Sequence, residues 1–331
     1  MREVLLLIEK SSHCLSYYDA LTGKRLYTLN LPEFPHEFVL NRAKTIAYIG
    51  HYGVANSKTV GEGGHSVFAV DVAQGTVHHI LDTGTKNRRP HGVGMDANDR
   101  LYVLAESTSK LLIWHRPDIA GPYNLEIPTG GKKSHLFAVT RDGTKVFSVN
   151  LDSNDITVIY PFDPEAPPKK IQVGRMPEGR ILSCDERRLF VTSRKSGTLS
   201  SVDTITCEVT SVIVSPGDPV RVFHDRLRGR LMTLNYLGKY IGVYDEVSLE
   251  KIAHVQLSVS PVALCFDPKH ERCFLSTDCN RILIIRLDSL KIQNIFPTQN
   301  EPDVSQIILL PDAAPVLGVV AGSVANFAGE G

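Results

Sequence analysis

No pair of cysteines in this chain has C-x-x-C spacing. The six that occur, Cys14, Cys184, Cys207, Cys265, Cys273 and Cys279, are scattered. That pattern argues against a structural zinc site or a disulfide framework and for reduced thiols in a cytoplasmic protein. No C-x-x-C-H haem attachment is present, and no glycine-rich dinucleotide motif follows a strand and opens a helix, so neither haem nor nucleotide is expected. The longest apolar run near the start is Leu5–Ile8, closed by Glu9 and Lys10. It is too short for a signal segment or a membrane span. Charge of one sign is not in excess either: 36 Lys and Arg balance 36 Asp and Glu. Nucleic acid and acidic membranes are therefore not expected partners. No stretch of about eleven residues holds a helical hydrophobic period, which argues against parallel strands joined by helices.

What is present is a repeat. The segments PHEFVLNRAKTIAYIGH, PHGVGMDANDRLYVLAE, SHLFAVTRDGTKVFSVN, PEGRILSCDERRLFVTS, PVRVFHDRLRGRLMTLN, PVALCFDPKHERCFLST and PDVSQIILLPDAAPVLG begin at residues 35, 90, 134, 177, 219, 261 and 302. Each combines two alternating apolar stretches around a polar turn, such as Asp142-Gly143. Further strand-like segments, such as DITVIYPF and KKIQVG, follow. Seven copies spaced by 41 to 55 residues predict an all-β, seven-bladed β-propeller, read as one domain over residues 1–331. Residues 1–34 complete the last blade, so the N- and C-terminal segments close the ring in one shared blade and remove a sheet edge. Two segments compete for the second strand there: VLLLIEK at the N-terminus and residues 312–327.

The register puts two columns of polar residues at one end of the blades. Residues opening the inner strands read His36, His91, His135, Glu178, Val220, Val262 and Asp303. Residues fifteen further on, ending the second strands, read His51, Glu106, Asn150, Ser193, Asn235, Thr277 and Gly318, with Glu9 replacing Gly318 if the N-terminal strand takes that place. Imidazoles and a carboxylate in a contiguous arc suit one divalent metal held by His36, His91, His135 and Glu178, or equally a metal-free acid–base cluster. His51, Glu106, His91 and His135 are the expected catalytic residues. Local basic character in the loops of blades two to four marks Arg88, Arg89, Lys133, Arg180 and Arg194 as the grip for an anion, with Asn150, Asn235 and Tyr236 as further substrate contacts. The glycine-rich insertion Tyr52–Gly64 is expected to be a mobile flap.

The units resemble YVTN-type propeller repeats, most closely over Arg89–Ser107 (RPHGVGMDANDRLYVLAES) and Ser134–Ile159 (SHLFAVTRDGTKVFSVNLDSNDITVI). A His at the start of inner strands is also similar to the seven-bladed lactonases and carboxymuconate cyclases. The resemblance implies the fold and, by analogy, ring chemistry. The expected function is that of an enzyme on a small anionic, carboxylate-bearing substrate, by lactone-type hydrolysis or a ring-opening or ring-closing lyase or isomerase step. The alternative is a non-catalytic scaffold that binds a protein or peptide. Substrate, reaction direction and oligomeric state are not legible in the sequence.

Overall fold

A computed structural model describes residues 1–318. Strands begin at Pro35, Pro90, Ser134, Pro177, Pro219, Pro261 and Pro302, the seven positions expected from the repeat. Each opens a four-stranded sheet, and the architecture is that of a seven-bladed β-propeller. Blades one to six run in chain order from these positions. In the seventh, strand Pro302–Leu310 pairs with the N-terminal strand Arg2–Glu9, followed outward by Cys14–Asp19 and Arg25–Asn30. The competition for the closing blade thus goes to the N-terminal strand, and Glu9 takes the ring position considered for Gly318. Pro315–Gly318 is a single helical turn, while residues 319–327 of the segment 312–327 lie outside the described residues. No helix among the described residues is long and apolar enough to cross a membrane.

Alternation explains the layering. The second and third strands of each blade are buried on both faces, as in Leu101–Ala105 and Asp155–Ile159, and their aliphatic side chains pack against the neighbouring sheet. Leu136, Val149 and Val158 of blade three meet Leu189, Val191 and Val202 of blade four in one cluster. The outer strands are the most exposed, and that of blade three, Lys169–Gln172, carries polar or charged residues at its exposed positions.

The chain divides into two compact units. One holds residues 1–90, 117–122 and the described residues from 263 onward; the other holds residues 91–116 and 123–262. Blades two to five thus lie in the second unit.

A shared backbone device sits at the start of the inner strands. The preceding residue has a left-handed φ at Phe34, Arg89, Lys133, Met176, Asp218 and Glu301. In blades three and four the carbonyl of that residue accepts from the residue after the second strand, Leu151 N–H to Lys133 and Arg194 N–H to Met176. The ladder then breaks at the opening residue. Register shifts lie between Ser134 and Leu136, between Pro177 and Arg180, and between Pro219 and Arg221. Such bulges re-aim a side chain away from the sheet, so His135, Glu178 and Val220 project from the end of their blades.

Candidate functional site

The second unit gathers three of the expected residues. His135 Nδ1 lies 2.5 Å from Glu106 Oε2, a bond between consecutive blades. The ring of His91 lies over that of His135, with centroids 3.6 Å apart and planes inclined by 30°. All three side chains are buried: His91 is 2%, His135 6% and Glu106 5% exposed. Gly92 makes the close approach possible, because a Cβ there would stand 3.2 Å from the carbonyl oxygen of His135 and 3.0 Å from Phe137 Cδ1. The P-x-G opening of blade two therefore lets the two imidazole-bearing strands come together.

This arrangement has definite chemistry. A carboxylate on Nδ1 fixes the tautomer and orientation of an imidazole and directs Nε2 outward as base or acid. Two imidazolium rings at 3.6 Å would repel by roughly 4–5 kcal/mol at an effective dielectric of 20.

Other expected contacts have different partners. Glu178 is not brought to the imidazoles as a metal ligand: its Oε2 accepts from Arg194 Nη1 at 2.9 Å. Arg194, expected to grip substrate, is also bound to both oxygens of Asp218, at 2.6 and 2.7 Å. Burial works against its charge, but its hydrogen bonds to Asp218 and the charges of Glu178 and Asp218 outweigh that and raise its pKa above the ordinary value. Arg180 donates from Nε to the carbonyl of Phe137 at 2.7 Å. Asn150 is fully buried and bonded to Ser134, Ser148, Asp155 and Thr157. Asn235 is likewise buried against Ser215 and Thr233. Both asparagines are structural anchors, not substrate contacts. Lys133 and Tyr236 are half-buried, and their backbones serve the loop bonds, Leu151 N–H to the Lys133 carbonyl and Tyr236 N–H to the Asp218 carbonyl.

In the first unit, His36 Nε2 lies 3.6 Å from Asp303 Oδ2 and its Nδ1 3.9 Å from Glu37 Oε1. It faces the edge of Tyr52 at 5.5 Å. His51 lies against Phe68, centroids 5.5 Å apart. Burial, and next the charge of His65, lower its pKa to about 4. An imidazole with so low a pKa is a weak base and stays neutral throughout the physiological range. Arg88 and Arg89 are tied to the insertion. Arg89 Nη2 donates to the carbonyls of Thr59 and Gly61, and Arg88 Nη1 to that of Gly63, with Glu62 paired to Arg88 at 2.9 Å. These bonds tie residues 59–63 of the insertion to the residues just before the inner strand of blade two.

Among the described residues, the one trio of metal-ligating side chains with donor atoms within 4.8 Å of one another is Glu3, Asp267 and His270, which the sequence did not suggest. Lys269 pairs with Glu3, and Arg272 Nε donates to Asp267 at 2.9 Å. The carboxylates are thus already neutralised, as an ionic tie between the N-terminal strand and blade six. Of the expected set His36, His91, His135 and Glu178, Glu178 is bound to Arg194, while the Glu106 bond to His135 Nδ1 leaves Nε2 of that ring as its outward donor atom.

No family model and no curated protein matches the sequence. Solved structures do share the fold. A functionally unknown protein from Desulfotomaculum acetoxidans superposes with a TM-score of 0.76 at 9% identity, covering 93% of this chain and 98% of that one. The periplasmic gluconolactonase of Pseudomonas aeruginosa gives 0.75 at 13%, covering 93% and 100%. A candidate 6-phosphogluconolactonase from Bacteroides uniformis gives 0.74 at 13%, with the same coverage. At such identities the likeness shows the fold, a seven-bladed β-propeller of the kind found in proteins named as lactonases. No family model stands behind the finer YVTN resemblance.

Proposed function

We propose that the chain is an enzyme that opens a lactone or related cyclic ester carrying a carboxylate or phosphate, with His135 and Glu106 as its acid–base pair. The observation that carries this reading is the buried His135–Glu106 bond beneath the stacked ring of His91. Glu106 accepts the Nδ1 proton of His135, so that Nε2 can take a proton from water as the oxygen attacks the ring carbonyl. The same imidazole returns that proton to the departing ring oxygen, leaving a hydroxyl and a carboxylic acid that releases its own proton to solvent. His91 packs its ring over that of His135 and holds it in place. Lys132, Arg175 and Lys195 supply the anion grip once assigned to Arg180 and Arg194. Their side chains are exposed, and they lie at matching places in blades three and four, where Asp152 N–H bonds the Lys132 carbonyl and Lys195 N–H that of Arg175. The solved structures named as gluconolactonases support the reaction class by analogy of fold. All six thiols are unpaired, which fits a reducing, cytoplasmic setting.

The test is a panel of γ- and δ-lactones, neutral and anionic, followed by acid release at constant pH. Anionic lactones are expected to be opened. His135→Ala and Glu106→Gln should each lower the rate by roughly 100-fold or more, and His91→Ala should abolish activity, all with unchanged far-UV circular dichroism. Full activity in His135→Ala, or no turnover of any lactone by the wild type, would overturn the assignment.

A further inference from the structure

The outermost strands of the seven blades are sheet edges, and six of them are guarded. Edge strands with free backbone groups pair with other chains unless charge, proline or a bulge prevents it. Arg25 opens the outer strand of blade seven and Asp82 ends that of blade one; Glu126 and Pro128 lie in blade two, Lys169 and Lys170 in blade three, Lys251 in blade five and Pro297 in blade six. The outer strand of blade four, Val209–Val214, reads VTSVIV and carries neither charge nor proline; its one bulge lies at the start, between Val209 and Ser211, and leaves Val212–Val214 regular. Its side chains face solvent: Val212 is 57% and Val214 74% exposed, and Ile205 in the preceding turn is 65% exposed.

The backbone along this edge has a definite polarity. Ser215 N–H donates inward to Gly197 at 2.8 Å, and the regular register sets Ile213 opposite Leu199 and Val212 opposite Ser200. In an antiparallel strand the N–H and C=O of one residue point the same way and alternate along the chain. Ile213 therefore bonds inward like Ser215, while Val212 and Val214 present their N–H and C=O groups outward. We propose that strand Val209–Val214 is a self-association edge that pairs antiparallel with the same strand of a second copy of this chain.

Charge favours a second copy as occupant. Two-fold pairing sets a strand against itself, so any charged side chain at the centre meets its own like. Lys169 and Lys170 forbid this in blade three, whereas in blade four a two-fold axis beside Ile213 puts Val212 opposite Val214 of the copy with no charge in the strand. Two six-residue edges bury less than the roughly 1,200 Å² of a stable standard interface, so the association is a reversible, concentration-dependent one.

Sedimentation equilibrium of the intact chain from micromolar to near-millimolar concentration tests this. The wild type is expected to show a monomer–dimer equilibrium. Val212→Lys and Val212→Glu should each weaken it by about tenfold or more, and an equimolar mixture of the two should restore association, because the opposed substitutions become neighbours. Ile252→Lys, on the outer strand of blade five, should leave it unchanged. A wild type that stays monomeric, a dimer indifferent to Val212, or loss in both variants without recovery on mixing would each overturn the proposal.

Discussion

His51 makes the stability of the protein sensitive to acid in a predictable way. Burial keeps its folded-state pKa near 4, against 6.5 for the free side chain. Above pH 6.5 the imidazole is neutral in both states and adds no pH dependence. Between 6.5 and 4 the unfolded chain binds a proton that the folded chain refuses, so stability falls as pH falls. Below 4 both states are protonated and the loss levels off. A shift of about 2.5 units corresponds to roughly 3 kcal/mol at the plateau, of which about 2 kcal/mol is lost between pH 7 and 4.5. His51→Gln removes the titration while keeping a polar side chain of similar reach. Urea unfolding of wild type and variant at pH 7 and pH 4.5 gives four free energies. The wild type should lose about 2 kcal/mol more than the variant between the two conditions. An equal loss in both would show that His51 is not held neutral by its surroundings.

Other groups make equally specific claims. Arg194→Met strips the counter-charge from two partly buried carboxylates, Glu178 and Asp218, and should cost about 3 kcal/mol in denaturant unfolding at pH 7. Gly53 has φ of +73°, and a Cβ there would sit 2.1 Å from the backbone nitrogen of Gly64, so Gly53→Ala should destabilise by roughly 2–4 kcal/mol. Thiol titration of the native protein should modify Cys184 rapidly and Cys279 slowly, with the four buried cysteines reacting only on unfolding; burial pushes the Cys265 thiol up to about 12.

Strand starts were legible because hydrophobic alternation and turn residues are local signals, repeated seven times. The adjacency of His135 and Glu106 was legible for the same reason: residues 29 apart occupy facing ends of consecutive blades once the period is known. Which partner each charge takes was not legible. Arg180, Arg194, Arg88 and Arg89 sit in basic loops, and a local excess of cations suggests an anion site. The structure spends them on the Phe137 carbonyl, on Glu178 and Asp218, and on the insertion at residues 59–63. Those choices depend on left-handed residues and bulges that no composition or spacing reveals. The asparagines failed for a related reason, since a polar residue at a strand end looks alike whether it faces a ligand or its own hairpin.

The same ring position serves two purposes, and the difference locates the chemistry. Asn150 spends its amide within blade three, Asn235 within blade five, and Thr277 bonds the Arg281 carbonyl of its own hairpin. Each ties the end of the second strand to its own sheet, which is what a repeat unit needs in order to stand next to any neighbour. Glu106 breaks that rule by reaching His135 of the next blade. A charged side chain that leaves its own hairpin for a neighbour's imidazole adds nothing that Asn150 does not already do for blade architecture. Its cost is a carboxylate held almost wholly out of water, which the bond to His135 offsets. Among the positions compared, Glu106 differs from Asn150, Asn235 and Thr277 in pairing with an imidazole of the next blade, and from Glu9, the other buried carboxylate of the column, which accepts from Ser16 and Tyr18 of its own blade. Glu106→Asn, the residue that blade three carries at this place, is the sharpest form of that argument. It should keep the fold to within about 1 kcal/mol and lose the lactone-opening activity. A variant that unfolds instead would show that the His135–Glu106 bond is a structural tie after all.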